Sequence, residues 1–305
     1  MTNRRLLVLI NREGGAASAA GDKLPDQVEA AFDQAGGNAD VRMLKADEMD
    51  RALRTAAKGE TRIVVAGGDG TVAAAAQALA KAETEVAILP LGTLNHFARD
   101  LGIPLQLEAA AALAVQGRSQ GIDVGEVNDR RFINNVSVGL YPFMVRGRDD
   151  IRERRGWPKW LATLPASWDA LSRLRHHRLH IELDQGKQPV VTPLLFVGNN
   201  RYSLDSGSFG TRDSLTEGKL AVYAVSRSTR AALLWFGIRA LLGRADRERD
   251  FAALGDSAGF TVHSSERRIE IALDGEVTHL SLPLSFSILP GALRVVVPRH
   301  DGAQP

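Results

Sequence analysis

An apolar run, Arg62-Ile63-Val64-Val65-Ala66, passes directly into Gly67-Gly68-Asp69-Gly70-Thr71 and then into the helix-forming Val72-Ala73-Ala74-Ala75-Ala76-Gln77-Ala78-Leu79. Strand, glycine turn and helix in that order offer backbone N–H groups and a helix N-terminus to an anion. The glycines let the backbone approach a phosphate with no Cβ in the way. Asp69 is the unexpected member. A carboxylate repels a phosphate unless a cation lies between them, so the turn suggests a metal–nucleotide complex. The plainer alternative is a tight turn whose Asp69 or Thr71 caps the following helix, worth roughly 1 kcal/mol. Taken alone, the turn does not separate the two.

The same alternation runs through the first 120 residues. Leu6–Ile10, Ala39–Leu44, Arg62–Gly67 and Val86–Pro90 read as strands. Pro25–Ala35, Asp47–Lys58, Thr71–Lys81 and Leu105–Gln116 read as helices, with Pro25 at a first helical position where no N–H is needed. This order predicts a largely parallel sheet covered on both faces, with ligands at the carboxyl ends of its strands. Three loops leave such ends: Asn11 to Gly15, Gly67 to Thr71, and Leu91 to Asn95.

From about Ile122 the pattern changes to short β-like runs: Arg131–Val138, Leu179–Leu183, Val190–Gly198, Lys219–Val225, Gly259–Ser264, Ile269–Leu273 and Leu284–Leu289. An antiparallel sandwich is expected, with Leu293–Pro298 returning to the first domain. The expected domains are residues 1–122 with about 293–305, and residues 123–292.

At 305 residues the chain is long enough for two cores, and its 44% hydrophobic and 24% charged residues suit a globular protein. With no cysteine, disulfides, thiol nucleophiles and thiolate metal sites are excluded. The apolar stretch after Met1 is too short and β-like for a signal sequence, and no segment approaches the ~20 apolar residues of a membrane span. The expected location is the cytoplasm. Between Arg146 and Arg178, nine Lys/Arg face four acidic residues and interleave with Trp157, Trp160 and Trp168. A second basic cluster, Arg227 to Arg249, brackets Leu233-Leu234-Trp235-Phe236. Solvated helix faces are the commoner meaning of such runs, and peripheral contact with an anionic membrane surface is the functional one. No nucleic-acid module is recognisable.

Beyond Gly67–Thr71 stand Leu89-Pro90-Leu91-Gly92-Thr93-Leu94-Asn95 and, near the C-terminus, Leu273-Asp274-Gly275-Glu276. The ordered trio GGDGT, PLGTLN and DGE resembles the diacylglycerol kinase catalytic family, which includes bacterial lipid kinases and sphingosine kinases. The resemblance spans Asn11 to Pro298. It implies a phosphofructokinase-like three-layer α/β nucleotide domain, a C-terminal β-sandwich, and an active site in the cleft between them. It also implies ATP-dependent phosphorylation of a lipid hydroxyl such as that of diacylglycerol, with Mg²⁺. Carried over by residue, Gly67, Gly68, Asp69, Gly70 and Thr71 would bind the triphosphate and its Mg²⁺. Thr93, Asn95 and Asn11 would line that site, and Glu276 would be the catalytic base. Ser214, Glu217 and Lys219 match a metal-binding stretch, Glu217 through its side chain and the others through backbone oxygens. The partner implied is a lipid substrate; the sequence leaves a homodimer open.

Several positions depart from the family pattern. Asn11-Arg12-Glu13-Gly14-Gly15 lacks the usual proline, Ala73-Ala74 replaces Asn-Glu, and Asn95-His96 replaces Asn-Asp. Two alternatives stand beside lipid phosphorylation: an NAD kinase, which shares GGDG, and a nucleotide- or lipid-binding module without turnover. Apolar residues around Asn134–Phe143 read either as sandwich core or as an acyl groove. For Asp274–Glu276 the plain alternative is a hairpin turn, and for Ser214–Lys219 an exposed turn.

Overall fold

The structure, a computed structural model, describes residues 5–14, 21–139, 176–183, 186–202, 212, 214–225 and 251–299. Most of the basic stretch Arg146–Arg178, all of Arg227–Arg249, and Tyr141-Pro142-Phe143 lie outside the described residues. The chain forms two units, residues 1–124 with 289–305 and residues 125–288.

The first unit contains β1 (Arg5–Asn11), α1 (Leu24–Gln34), β2 (Asn38–Leu44), α2 (Ala46–Gly59), β3 (Arg62–Gly67), α3 (Asp69–Leu79), β4 (Glu85–Pro90), α4 (His96–Asp100) and α5 (Leu107–Gln116). From it β5 (Arg118–Val127) runs into the second unit. There follow β6 (Arg130–Phe132), β7 (Asn135–Gly139), β8 (His177–Leu183), β9 (Gly186–Thr192), β10 (Leu194–Asn199), β11 (Leu220–Val225), β12 (Phe251–Ser257), β13 (Gly259–His263), β14 (Arg268–Leu273) and β15 (Glu276–Ser281). Finally β16 (Leu284–Val297) returns the chain to the first unit.

The first unit's sheet has the order β2-β1-β3-β4-β16, every pair parallel. Val8, Leu9 and Ile10 of β1 are all buried, as are Ile63–Ala66 of β3 and Val86–Leu89 of β4. Consecutive buried residues mean both faces are covered, which explains why these strands read as unbroken apolar runs. The helices cover them through one stripe each. Leu24, Val28, Ala31 and Phe32 face inward from α1, and Val72, Ala75, Ala76 and Leu79 from α3, at helical spacing. Arg62 binds Glu85 across β3 and β4 and donates to the carbonyls of Ala114 (2.8 Å) and Gly117 (3.2 Å) at the end of α5.

In the second unit all pairing is antiparallel. One sheet runs β12-β11-β10-β7-β14-β15, and a second joins the first half of β16 to β13, β8 and β9. Val136, Val138, Val197 and Ile271 of one sheet share a buried core with Ile181, Val262, Leu284 and Phe286 of the other. Phe260 stacks on Phe286 at 4.7 Å. This is the alternation expected of a sandwich. The α/β N-terminal and β C-terminal fold class expected from sequence is the one observed.

Differences are local and have physical causes. The run Val190–Gly198 is two strands, because Pro193 cannot donate to a ladder. Arg131–Val138 is likewise two, broken at Ile133-Asn134. Conversely, the two runs around Pro290-Gly291 are one strand, β16, which changes partner from β13 to β4 while Gly291 takes a φ of +59°. Strands β5, β12 and β15 and helix α4 are additional. Among the described residues no helix is long and apolar enough to cross a membrane.

Candidate functional site

The carboxyl ends of β1, β3 and β4 lie side by side in the sheet. The chain leaves β1 toward β2 on one side and β3 toward β4 on the other, so β1 and β3 flank the point where strand order reverses. Open parallel sheets bind ligands outside such a point. Asn11, which ends β1, bridges it by donating its side-chain amide to the Thr71 hydroxyl in the first turn of α3 (3.2 Å). Its side-chain oxygen accepts the Glu13 N–H at 3.0 Å.

The β3 and β4 loops touch backbone to backbone. A Cβ placed on Gly68 would fall 3.1 Å from the Cα of Gly92, and one on Gly67 would collide with the Thr71 side chain. The Asn95 side chain closes the second loop on itself, accepting from the Gly92 N–H (2.9 Å) and donating to the Gly92 carbonyl (2.8 Å). Asn95 is buried and holds a left-handed backbone (φ +52°). Thr93 and Leu94 stand exposed at its tip.

Asp69 does not cap its own helix. Gly68 is the N-cap of α3, with no side-chain cap hydrogen bond. The two carboxylate oxygens of Asp69 instead accept the His96 N–H (3.2 Å) and the Phe97 N–H (3.1 Å), the first donors of α4. Thr71 caps nothing either; its hydroxyl oxygen serves Asn11. The expected cap is therefore corrected to a tie between two loops. The Thr71 N–H turns back to the Gly68 carbonyl (2.9 Å), and the N–H groups of Asp69 and Gly70, with no carbonyl one turn back, are the ones directed out of the N-terminus of α3.

In the second unit Asp274 (φ +48°) and Gly275 (φ +90°) form the two-residue turn between β14 and β15, both in the left-handed region that such hairpins require. Glu276 is the first residue of β15, paired with Leu273, and is exposed. Asp274 accepts three consecutive backbone N–H groups, from Ile133 (2.9 Å), Asn134 (2.8 Å) and Asn135 (3.1 Å). Burial pushes its carboxyl up to about 6, against the pull of those three donors and of the Arg212 charge.

Arg212, Asn199 and Asn200 are buried beside this turn. Asn200 accepts the Glu217 N–H on its side chain (3.1 Å) and donates its own N–H to the Lys219 carbonyl (3.0 Å). It thereby fixes the loop that carries Ser214, Glu217 and Lys219. Ser214 and Thr216 hydroxyls lie 3.2 Å apart, and Glu217 is exposed.

Comparison with known proteins identifies the family. The profile of the diacylglycerol kinase catalytic domain matches residues 5–127. A diacylglycerol kinase of Mycobacterium tuberculosis is 30% identical over 252 residues, covering 80% of this chain and 79% of that protein. The chain belongs to the diacylglycerol kinase family. A probable lipid kinase, YegS-like, of Pseudomonas aeruginosa is 30% identical over 289 residues, or 92% of this chain and 91% of its own. The crystal structure of a putative diacylglycerol kinase from Bacillus anthracis superposes with a TM-score of 0.72 at 22% identity, covering 98% of this chain and 97% of that one, and shows the same fold. Membership in the diacylglycerol kinase family makes lipid kinase the activity class.

Within this diacylglycerol kinase fold the structure brings Asn11, Gly67, Gly68, Asp69, Thr71, Gly92 and Asn95 into one bonded set. Glu276 and the Ser214–Lys219 loop belong to the second unit. Sequence reasoning missed Arg212, Asn199 and Asn200. The available signal was Asn199-Asn200 at the end of an apolar run, since asparagine tolerates the left-handed conformation that Asn200 adopts (φ +64°).

Proposed function

We propose that the chain transfers the γ-phosphoryl group of ATP to the hydroxyl of a lipid such as diacylglycerol. The observation that carries this reading is the bonded set of three loops at the strand-order reversal. It leaves a glycine surface and a helix N-terminus for a polyphosphate. Gly67, Gly68 and Gly70 give the chain its close approach, and the N–H groups of Asp69 and Gly70 at the start of α3 would hold phosphate oxygens. Because Thr71 accepts from Asn11, its hydroxyl proton is left to donate to phosphate. Asn95 acts by shaping the loop that presents Thr93.

Among the described residues no three His, Asp or Glu side chains group to hold a metal by themselves. Asp69 has lone pairs beyond the two it gives to α4, which fits an ion that arrives with the nucleotide and is shared between a carboxylate, phosphates and water. Bound there, Mg²⁺ would neutralise charge on the phosphates. A second Mg²⁺ would be held at the loop fixed by Asn200, through the Glu217 carboxylate and the backbone oxygens of Ser214 and Lys219, the last shared with the Asn200 N–H. The lipid hydroxyl oxygen forms the new bond to the γ-phosphorus, the bond to the β-phosphate oxygen breaks, and the proton passes to the Glu276 carboxylate. The nine basic residues between Arg146 and Arg178, with their tryptophans, support peripheral binding to an anionic bilayer.

Purified protein with labelled ATP and Mg²⁺ is offered diacylglycerol, other lipid alcohols in mixed micelles, and NAD. A phospholipid product is expected. Labelled NADP with no lipid product overturns the proposal, and so does ATP binding without turnover of any acceptor.

A further inference from the structure

Asp274 opens the turn before Glu276, and its carboxylate is wholly engaged with backbone. It accepts from Asn134 (2.8 Å) and Asn135 (3.1 Å) on one oxygen and from Ile133 (2.9 Å) on the other. Its own N–H donates to the Asn135 carbonyl at 2.9 Å. The peptide group between Ile133 and Asn134 is also held from its other end. The Ile133 carbonyl accepts Arg212 Nη1 at 2.5 Å and the Asn199 side-chain amide at 3.0 Å. Arg212 is only 5% exposed; its Nη2 donates to the Asn134 side-chain oxygen (2.8 Å), and its guanidinium lies 5.3 Å from the Tyr202 ring centroid. One peptide group thus stands between a buried cation on its carbonyl and a carboxylate on its N–H. A carbonyl drawn toward a cation makes the attached N–H a stronger donor.

We propose that Arg212 and Asp274 work as one unit through the Ile133–Asn134 peptide to fix the Asp274-Gly275 turn, and that Arg212 is thereby a positioning residue for Glu276. The proposal rests on the reading of Glu276 as the base. Glu276 is the first residue after the turn and pairs with Leu273, so the turn decides where its side chain begins. A base must lie within about 2.6–3.2 Å of the proton it takes, and an ångström of displacement costs on the order of 10²-fold in rate. Asp274 accepts all three donors as a carboxylate, the form it holds at neutral pH with its carboxyl at about 6. Removing Arg212 takes the charge from the far side of the peptide and leaves the carboxylate with weaker donors.

A double-mutant cycle tests this with ATP and diacylglycerol, or with the lipid alcohol best turned over in the mixed-micelle panel. Turnover is measured per mole of folded protein for wild type, Arg212→Met, Glu276→Ala and the double variant. Arg212→Met is expected to lower kcat roughly 10-fold or more with the nucleotide KM unchanged, and Arg212→Lys to restore part of it. In the Glu276→Ala background the same substitution should cost less than about 2-fold, because the group it positions is gone. An equal cost in both backgrounds overturns the proposal, since a purely structural loss is additive. Should Arg212→Met fail to fold, Asn134→Ala, which removes one acceptor of the guanidinium, takes its place and the same comparison decides. If Glu276→Ala leaves kcat near wild type, the base reading falls. A large Glu276→Ala effect with additive Arg212→Met removes the positioning role alone.

Discussion

The side-chain amide of Asn11 donates to the hydroxyl of Thr71 at 3.2 Å, joining the end of β1 to the first turn of α3 across the reversal in strand order. The bond sets the direction of a proton. With its oxygen engaged as acceptor, the threonine hydroxyl keeps its hydrogen for whatever lies at the helix N-terminus. Two loops that are 60 residues apart in sequence thereby become one surface.

Thr71→Val tests that surface. The valine fills nearly the same volume but leaves the buried-side amide of Asn11 without its partner. Loss of a hydrogen bond of this kind costs about 1 kcal/mol of stability. Loss of a donor to phosphate should raise the nucleotide KM roughly 10-fold. Thr71→Ser should remain near wild type in both. Urea unfolding and initial-rate kinetics measure the two effects separately.

Gly92→Ala is expected to be far more damaging than its chemistry suggests. The added Cβ would run into the Cα of Gly68 and the side-chain oxygen of Asn95, neither of which can move without opening a loop. Gly59→Ala, where a Cβ meets nothing within 4 Å, is the control and should be neutral. Nucleotide affinity by calorimetry should fall at least 10-fold in the first and stay unchanged in the second, as expected when a close approach is blocked.

Asp69 joins two roles that one substitution can separate. Asparagine keeps an oxygen for one N–H of α4 and forfeits the other, so Asp69→Asn should lose about 1 kcal/mol, the typical net worth of one hydrogen bond. It also removes the negative charge proposed to face Mg²⁺. The concentration of Mg²⁺ needed for half-maximal turnover should therefore rise. A stability loss with an unchanged Mg²⁺ dependence would leave Asp69 as a cap for α4 alone.

The legible parts of this molecule are those whose signal is local. Val8–Ile10 and Ile63–Ala66 are buried on both faces, so each strand is a continuous apolar run in the sequence. Gly67–Thr71 declared its strand-turn-helix setting through its immediate neighbours. By contrast, β15 mixes Thr278 and His279 with Val277 and Leu280, because it is an edge strand with half-exposed positions, and it carries little periodic signal. The two hydrogen bonds that Asp69 accepts from α4 span 27 and 28 residues, and Arg212 reaches Ile133 across 79. No spacing rule encodes such pairs; tertiary folding creates them. Asp69 was legible as a polar residue at a phosphate turn, and its partner was not.

Asp274 makes a pH prediction whose sign follows from burial. Its carboxyl titrates at about 6 in the folded chain against 3.8 as the ordinary value. The folded state binds that proton more tightly, so this group favours folding most below about pH 4. Its contribution is lost as pH rises from about 4 to about 6 and is level above that, a change on the order of 3 kcal/mol. Other carboxylates titrate in the same window, so the difference between wild type and Asp274→Asn isolates the effect. Asparagine does not titrate and offers an amide where Ile133–Asn135 present donors, so the variant should be less stable throughout. The wild-type advantage should be largest near pH 4, shrink up to pH 6 and then hold constant. Urea unfolding of both proteins at intervals of half a pH unit measures it. An advantage that instead grows as pH rises to about 4 and is level above it would mean that the three N–H donors and Arg212 outweigh burial and hold the carboxyl below its ordinary value.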